Sequence, residues 1–493
     1  MTKSTPSLLA SVPWLLLGSG LAHFIGWDSN WAVAAWWVPV FLLGFGRRAP
    51  RAWQVPLALA VSLTVVGWIT VRGAWHMGGL TEVFFGFVLA LPLVGSVSLD
   101  RLLFRRLGPL PRTLVFPATW VLFDYAYSFL YGLGDVFSPA LTQFHFGPLV
   151  QVVSLTGIYG LTFLIGWFAS VVATIADDPD TLPRWRAPAV AFGATLTAVL
   201  VYGSARLSGL DHDTPTVRVA SIVLPHPRNY WEAIVDLGTP AADADRWRPE
   251  LAALEDRWFA ESERAVAAGA PIVFWSEAAA VMYADHEPAF LTRAGRFADE
   301  HDVYLLASSL VMFPDSDRLD NRVTMFTPEG ATAYTSLKTQ SWYPTESDGV
   351  IHSVSTPYGR LSSVICFDLD VPGWMQQVAA MDVDILLVPG FDTRAISPYH
   401  SEEGMFRAIE GGYGLVRGVA DGTSMSVDRT GRVLGLQDAF RTREPIQYVD
   451  VPTAGRPTVY GRVGDVFAWL VGAGWLGLLA VARFTATRTP RPR

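Results

Sequence analysis

The chain has 493 residues, 51% of them hydrophobic, 13% aromatic and only 17% charged, with a mean hydropathy of +0.30; it is too apolar and too poor in charge for an ordinary soluble enzyme of this size, so membrane segments must be sought first. A formal net charge of -8, with no Lys/Arg stripe interleaved with aromatics, argues against nucleic acid as a partner. A single cysteine leaves no internal disulfide framework from which to infer an oxidising compartment, and location has to be read from topology.

Apolar residues are concentrated at the two ends of the chain, with a more charged block between them, the distribution of an anchor, a soluble domain and a second anchor. Apolar spans run near residues 7 to 26, 31 to 46, 53 to 71, 81 to 99, 113 to 132, 149 to 176 and 187 to 206. Most approach the ~20 residues that cross a ~30 Å hydrocarbon core, although 31 to 46 is short. The first follows Lys3 as a signal peptide would, but no small-x-small cleavage site closes it and more spans follow at once, so it reads as a retained helix. Arginines set the orientation. Arg47, Arg48 and Arg51 follow the second span, Arg101, Arg105, Arg106 and Arg112 the fourth, and Arg184 and Arg186 the sixth; the alternate loops are nearly free of them, Arg72 excepted. By the positive-inside rule the N-terminus is cytoplasmic and seven crossings leave residue 207 onward outside. An eighth span near 463 to 482 returns the chain, and Arg483, Arg488, Arg491 and Arg493 mark a cytoplasmic end. The expected division is a seven-helix transmembrane region at 1–207, an extracytoplasmic domain at 208–457, and a C-terminal transmembrane helix with a basic tail at 458–493. Asp124 would be costly facing lipid and is expected to face the bundle, in a structural hydrogen bond or a functional role. The glycines of Gly157-Ile158-Tyr159-Gly160 are expected to permit close helix packing.

Between the anchors the pattern changes. Residues 217 to 223 alternate like a strand, and 248 to 268 carry apolar positions at helical spacing until Gly269 and Pro271 end them. A strand at 271 to 277, a helix near 287 to 300, a strand at 303 to 308 and a hairpin of 321 to 327 with 331 to 338 follow. Then come a strand ending at Cys366, a helix from about Pro372, a strand at 383 to 388, a helix at about 399 to 411, and strands near 414 to 420 and 423 to 428. Alternating strands and helices with added hairpins imply a layered α/β domain.

The run Leu361-Ser362-Ser363-Val364-Ile365-Cys366 delivers the lone cysteine to a strand end, where it is either a small buried hydrophobe or a nucleophile. Two upstream runs also end on a charged residue in an apolar setting: Ile272-Val273-Phe274-Trp275-Ser276-Glu277 and Tyr334-Thr335-Ser336-Leu337-Lys338. A thiol near its ordinary pKa is only a few per cent thiolate at neutral pH, so a catalytic Cys366 needs a base or a positive neighbour. Glu277, partly desolvated, suits proton abstraction and return, and Lys338 suits an oxyanion formed when sulfur attacks a carbonyl. A structural ion pair between Glu277 and Lys338 is the plainer alternative. For metal, the best local cluster is Asp211-His212-Asp213, with no second donor group at ligand spacing, and it reads as a solvated linker. No glycine-rich phosphate loop precedes a helix, and no cofactor is expected.

The order Glu277, Lys338, Cys366, each at a strand end of an α/β domain, resembles the nitrilase (carbon-nitrogen hydrolase) superfamily. The flanking membrane helices make the resemblance narrower, to the apolipoprotein N-acyltransferase family. Phe116-Pro117-Ala118-Thr119-Trp120-Val121-Leu122 and Gly157-Ile158-Tyr159-Gly160-Leu161-Thr162-Phe163-Leu164 read like that family's fifth and sixth helices. The resemblance makes Glu277, Lys338 and Cys366 the triad, Glu346 a second catalytic-site glutamate, and His400 with Arg407-Ala408-Ile409-Glu410 the helix after the nucleophile. The chain departs from the family pattern at Ser276, Asp368 and Ala420, around Gly134-Asp135-Val136-Phe137, and in the loop Pro389-Gly390-Phe391-Asp392.

The resemblance implies about eight membrane helices carrying an αββα sandwich outside the bacterial inner membrane. It also implies transfer of a fatty acyl chain from a phospholipid, through a Cys366 thioester, to the N-terminal amine of a diacylglyceryl-cysteine lipoprotein, by a monomer. Trp342, Tyr343, Trp374, Phe391 and His400 are the expected substrate-binding residues, on segments richer in aromatics than solvated loops require. A membrane-tethered amidase or nitrilase with water as acceptor, and a catalytically silent lipoprotein-binding scaffold, are the alternatives.

Overall fold

A backbone in hydrocarbon must satisfy its hydrogen bonds within itself, so the apolar ends of this chain form helices. The computed structural model describes residues 8–26, 29–72, 78–129, 134–177, 182–209, 214–225, 244–313, 318–341 and 345–488. One unit comprises 1–210 with 463–493, and the other comprises 211–462. The helices of the first are α1 (Leu8–Ala22), α2 (Ala32–Arg48), α3 (Gln54–Val71), α4 (Gly79–Leu103), α5 (Val115–Tyr127), α6 (Ile158–Asp177), α7 (Leu182–Ser208) and the C-terminal helix Val466–Arg488.

Among the described residues five helices are long and apolar enough to cross a membrane: α3, α4, α6, α7 and the C-terminal one. The other three expected spans coincide with helices of 15, 17 and 13 described residues, α1, α2 and α5, and the run 113 to 132 overstates the length of α5. The run 149 to 176 does the same for α6. Gly157, at φ +63, breaks it, and single turns at Gly147–Val150 and Val153–Thr156 precede α6. Hydropathy cannot register such a break, because a left-handed glycine and a helical one have the same composition. Gly157 therefore ends a turn, and Gly160 is held tight, a Cβ there meeting Thr156 Oγ1 at 2.1 Å. Asp124 faces the bundle, where Oδ2 accepts from Ser138 Oγ (2.8 Å) and Thr162 Oγ1 (2.7 Å). Arg47, one of the orientation-setting arginines, is buried against Asp100 (2.8 Å) and Asp177 (3.3 Å), so it also ties α2 to α4 and α6.

The second unit is built on two sheets. The strands are β1 (Thr216–Ile222), β2 (Ile272–Trp275), β3 (Ala280–Tyr283), β4 (Tyr304–Met312), β5 (Leu319–Phe326), β6 (Thr332–Leu337), β7 (Ser353–Thr356), β8 (Gly359–Ser363), β9 (Ile385–Phe391), β10 (Gly414–Ala420), β11 (Thr423–Val427), β12 (Val433–Asp438) and β13 (Ile446–Pro452). In one sheet the order is β13-β1-β2-β4-β5-β6, with β3 added on β4; in the other it is β12-β11-β10-β9-β8-β7. Each has a parallel centre, β1-β2-β4 and β8-β9-β10. Antiparallel strands complete the edges.

The continuous apolar run Ile272-Val273-Phe274-Trp275 is what a strand covered on both faces requires. Ile272 and Phe274 join Val219, Leu306 and Val323 in a core shared with Leu361, Ile365, Ile385, Leu387 and Val416 of the other sheet. Val273 and Trp275 turn the opposite way, against Trp258 of α8 (Ala244–Ala267) and Phe290 of α9 (Glu287–His301). Two further helices, α10 (Pro372–Ala380) and α11 (Tyr399–Gly411), follow the cysteine, and α11 packs on β10 and β11. The sheets approach closely at Gly418, where a Cβ would lie 2.5 Å from Ser221 Oγ and 3.0 Å from the Phe274 ring. The layered α/β expectation is met, and β3, β7, β12 and β13 are strands that the periodicity reading left out.

Candidate active site

Parallel strands present their carboxyl ends, with the turns that follow, on one side of a sheet, and sites collect there. Glu277 follows β2 in one sheet and Cys366 follows β8 in the other. The Glu277 amide donates to the Gly390 carbonyl of β9 at 3.4 Å, joining the two sheets beside the site. Lys338 follows β6, and its amide donates to the Asn321 carbonyl at 2.8 Å, so the β5–β6 register sets its place. Cys366 itself is left-handed, φ +50, and opens the short 3-10 turn Cys366–Asp370. A non-glycine residue held there costs on the order of 1 kcal/mol or more and must be imposed by its surroundings.

The three side chains converge in the interior. Lys338 Nζ donates to Glu277 Oε1 at 2.5 Å, and Asn321 Nδ2 donates to the same oxygen at 2.8 Å. Glu277 Oε2, buried, has no hydrogen-bond partner among the described residues. Cys366 is 1% exposed and its Sγ–H donates to the Phe391 carbonyl at 3.5 Å. Burial pushes the Cys366 thiol up, the Glu277 charge adds to that, and Lys338 and Arg417 only partly offset it. At rest the sulfur is therefore a neutral thiol. Burial pulls Lys338 down, but the charge a Cys366 thiolate would carry and that of Glu277 outweigh it, and its ammonium is favoured. Asp368 accepts from the amides of Thr339 (3.1 Å) and Gln340 (2.7 Å), tying the Cys366 turn to the segment after Lys338. Burial lifts its carboxyl to about 7 against those bonds and the Lys338 charge.

Behind the sulfur lies a second buried group of charges. Potential metal donors gather there, Cys366 with Asp392 and His400, and Asp370 with His400 and Glu403, each trio within 4.8 Å. Yet both His400 nitrogens are already bonded to carboxylates, and the Arg417 guanidinium lies against Asp392 at 3.2 Å. A cation already fills the role a metal would play, and the arrangement is an ion-pair network.

A carbon-nitrogen hydrolase family model matches residues 233–456, and an apolipoprotein N-acyltransferase N-terminal domain model matches residues 19–171. Apolipoprotein N-acyltransferase from Geobacter metallireducens is 26% identical over 490 residues, covering 90% of this chain and 89% of that protein. That of Bradyrhizobium diazoefficiens is 28% identical over 532 residues, covering 98% and 92%. The chain is a carbon-nitrogen hydrolase superfamily protein related to the apolipoprotein N-acyltransferases. Among solved structures, an amidase from Nesterenkonia sp. aligns over 54% of this chain and 99% of its own, at 18% identity and a TM-score of 0.39. This superfamily protein is a multi-pass membrane protein with its nitrilase-type domain fused to the membrane-anchoring helices.

The remaining expected residues scatter. Glu346 is 72% exposed and pairs with Arg318 at 2.8 Å; no contact among the described residues brings it to the Glu277–Lys338 pair. Trp342 and Tyr343 lie outside the described residues. Trp374, on α10, and Phe391, at the end of β9, are half-buried, and Phe391 meets the sulfur through its carbonyl. His400 is buried, with Nδ1 against Asp392 and Nε2 against Asp370. Sequence reasoning missed Asn321, Asp370, Asp392 and Arg417. Asn321 carries no local signal, since only the pairing of β5 with β6 sets it beside Lys338. Asp392 sits in a loop already marked as departing from the family pattern, which was the available cue.

Proposed function

We propose that this protein transfers a fatty acyl chain from a phospholipid, through a Cys366 thioester, to the N-terminal amine of a diacylglyceryl-cysteine lipoprotein. The observation that carries the reading is the convergence of Glu277 and Lys338 on the single buried cysteine, in a chain similar along nearly its whole length to proteins named apolipoprotein N-acyltransferase. Glu277 Oε1 is held by two donors while Oε2 is free. Oε2 takes the thiol proton as sulfur attacks the ester carbonyl, because the neutral resting thiol must lose it in that step. Lys338 stabilises the tetrahedral oxyanion. Collapse breaks the ester C–O bond; Glu277 returns the proton to the departing alkoxide, leaving a lysophospholipid and the thioester. An amine then attacks the thioester, Glu277 removes its proton, and the thiolate leaves and is reprotonated as the amide forms.

On this reading all eight expected spans cross the inner membrane of a bacterium, the shorter α1, α2 and α5 included, and residues 208–457 lie outside, as the arginine pattern supports. A monomer suffices, and Glu346 serves as a second catalytic-site glutamate. Transfer to water, as in an amidase, would use the same residues, and the match to a carbon-nitrogen hydrolase model favours it as the second reading. Purified protein incubated with phospholipid should gain one acyl mass on Cys366, released by hydroxylamine and absent from Cys366→Ala. With a diacylglyceryl-cysteine peptide added, N-acyl peptide should accumulate. Free fatty acid alone would favour the hydrolase, and no acyl mass in the wild-type protein would sink both.

A further inference from the structure

Two loops bound the sulfur, the turn Cys366–Asp370 and the segment after β9, and one imidazole touches both. His400, in the first turn of α11, donates from Nε2 to Asp370 Oδ2 at 3.1 Å, at the far end of the nucleophile turn. Its Nδ1 lies 2.7 Å from Oδ1 of Asp392, the residue after Phe391, whose carbonyl receives the thiol, and 2.8 Å from Arg417 Nη2. Its ring stacks on Phe367, centroids 4.6 Å apart and planes at 26°, and Phe367 is the residue next to the nucleophile. A ring nitrogen lies within 4.8 Å of Cys366 Sγ. Arg417 of β10 donates to the His400 carbonyl, fixing the start of α11, and shares Asp392 Oδ1 at 3.2 Å.

The groups around the ring are sealed from solvent. His400, Asp370, Asp392 and Arg417 are all at most 2% exposed. The ring and the Arg417 guanidinium, whose Nη2 lies 2.8 Å from Nδ1, together face the two carboxylates. Glu403, one turn along α11 and equally buried, has neither carboxylate oxygen hydrogen-bonded among the described residues. Burial and the Asp370 charge drive it towards the neutral acid. A buried group of this kind is strongly destabilised when one member is removed, so it specifies geometry.

We infer that His400 is a positioning residue, a clamp that joins the turn carrying Cys366 to the loop beneath the sulfur and thereby holds the nucleophile in its left-handed conformation facing Glu277 and Lys338. The inference rests on the reading of Cys366 as the nucleophile. It goes beyond the triad by assigning the strain at Cys366 to a specific restraint. Without the clamp the turn relaxes; a small reagent reaches the sulfur more easily, while the carbonyl and sulfur lose their alignment, and misplacement by about 1 Å costs on the order of 100-fold.

The test compares full-length wild-type protein in detergent micelles with His400→Gln, whose single amide cannot bridge both carboxylates. Iodoacetamide labelling of Cys366 is followed by intact mass, and acyl transfer is resolved into kcat and KM. Labelling should become about threefold faster or more, kcat should fall about tenfold or more, and KM should stay within about twofold. Asp370→Asn, which keeps an oxygen for Nε2–H, should shift both rates in the same directions by less, and it decides the matter if His400→Gln fails to fold. Labelling and kcat both unchanged in the folded variant would overturn the clamp, as would a fall in both together. If labelled wild-type protein still transfers acyl chains at full rate, the nucleophile reading fails and the clamp falls with it; inhibition of the wild type with unaltered His400→Gln kinetics overturns the clamp alone.

Discussion

Removing the ammonium of Lys338 should have two separable consequences. Lys338 and Glu277 are 12% and 5% exposed, 2.5 Å apart, and Lys338→Met would leave the carboxylate only the Asn321 amide. Stripping a buried charge of its partner costs about 3–5 kcal/mol. For a unit of about 250 residues, at roughly 2–4 °C per kcal/mol, that is a drop of roughly 10 °C in the melting midpoint of the sheet unit. Independently, if Lys338 is the oxyanion donor of the proposed mechanism, its loss should slow thioester formation by about 10²- to 10³-fold. Adding Glu277→Gln removes the stranded charge, since an amide still accepts from Asn321, so the double variant should recover most of the lost stability while remaining inactive. Thermal unfolding and single-turnover acylation, followed by mass, read the two effects apart. A double variant no more stable than Lys338→Met would show that the two charges are not coupled, and wild-type acylation by Lys338→Met would remove Lys338 from the chemistry.

Two further outcomes follow from particular contacts. Asp368 is held as an acid up to about 7, so its contribution to stability is complete below the unfolded carboxyl pKa of ~4 and is lost as pH rises through about 7. Melting midpoints from acid to alkaline pH should therefore fall across that window, and Asp368→Asn should flatten the fall; an identical slope in the variant would assign it to another group. Gly418→Ala should place a methyl against Ser221 Oγ and the Phe274 ring, pushing the sheets apart at a cost of about 1–3 kcal/mol, measured as a lowered unfolding midpoint. No change there would mean that the inter-sheet core has slack beside β10.

The sequence by itself determined what depends on near neighbours. Apolar runs declare helices at both ends because hydrocarbon demands internally bonded backbone. The run ending at Glu277 and the run ending at Cys366 declare buried strands with one chemically distinctive residue at each end, because a strand covered on both faces must be apolar throughout. The helix from Tyr399 to Gly411 is legible from its periodicity and the glycines that close it. Helix breaks inside apolar runs were not legible, since Gly157 changes the backbone without changing hydropathy.

Tertiary structure decided everything that depends on which strands lie side by side. Glu277 and Lys338 stand on different strands of one sheet and Cys366 on another sheet, and only the packing of the two sheets brings them within reach. The β5–β6 register, not any motif, sets Asn321 against Glu277. His400 and Glu346 make the same point in opposite directions: in sequence each is a polar residue near the site segments, yet one is sealed between two carboxylates and the other lies on the surface against Arg318. Burial is a property of what other parts of the chain cover, so no local pattern around a histidine or a glutamate can encode it.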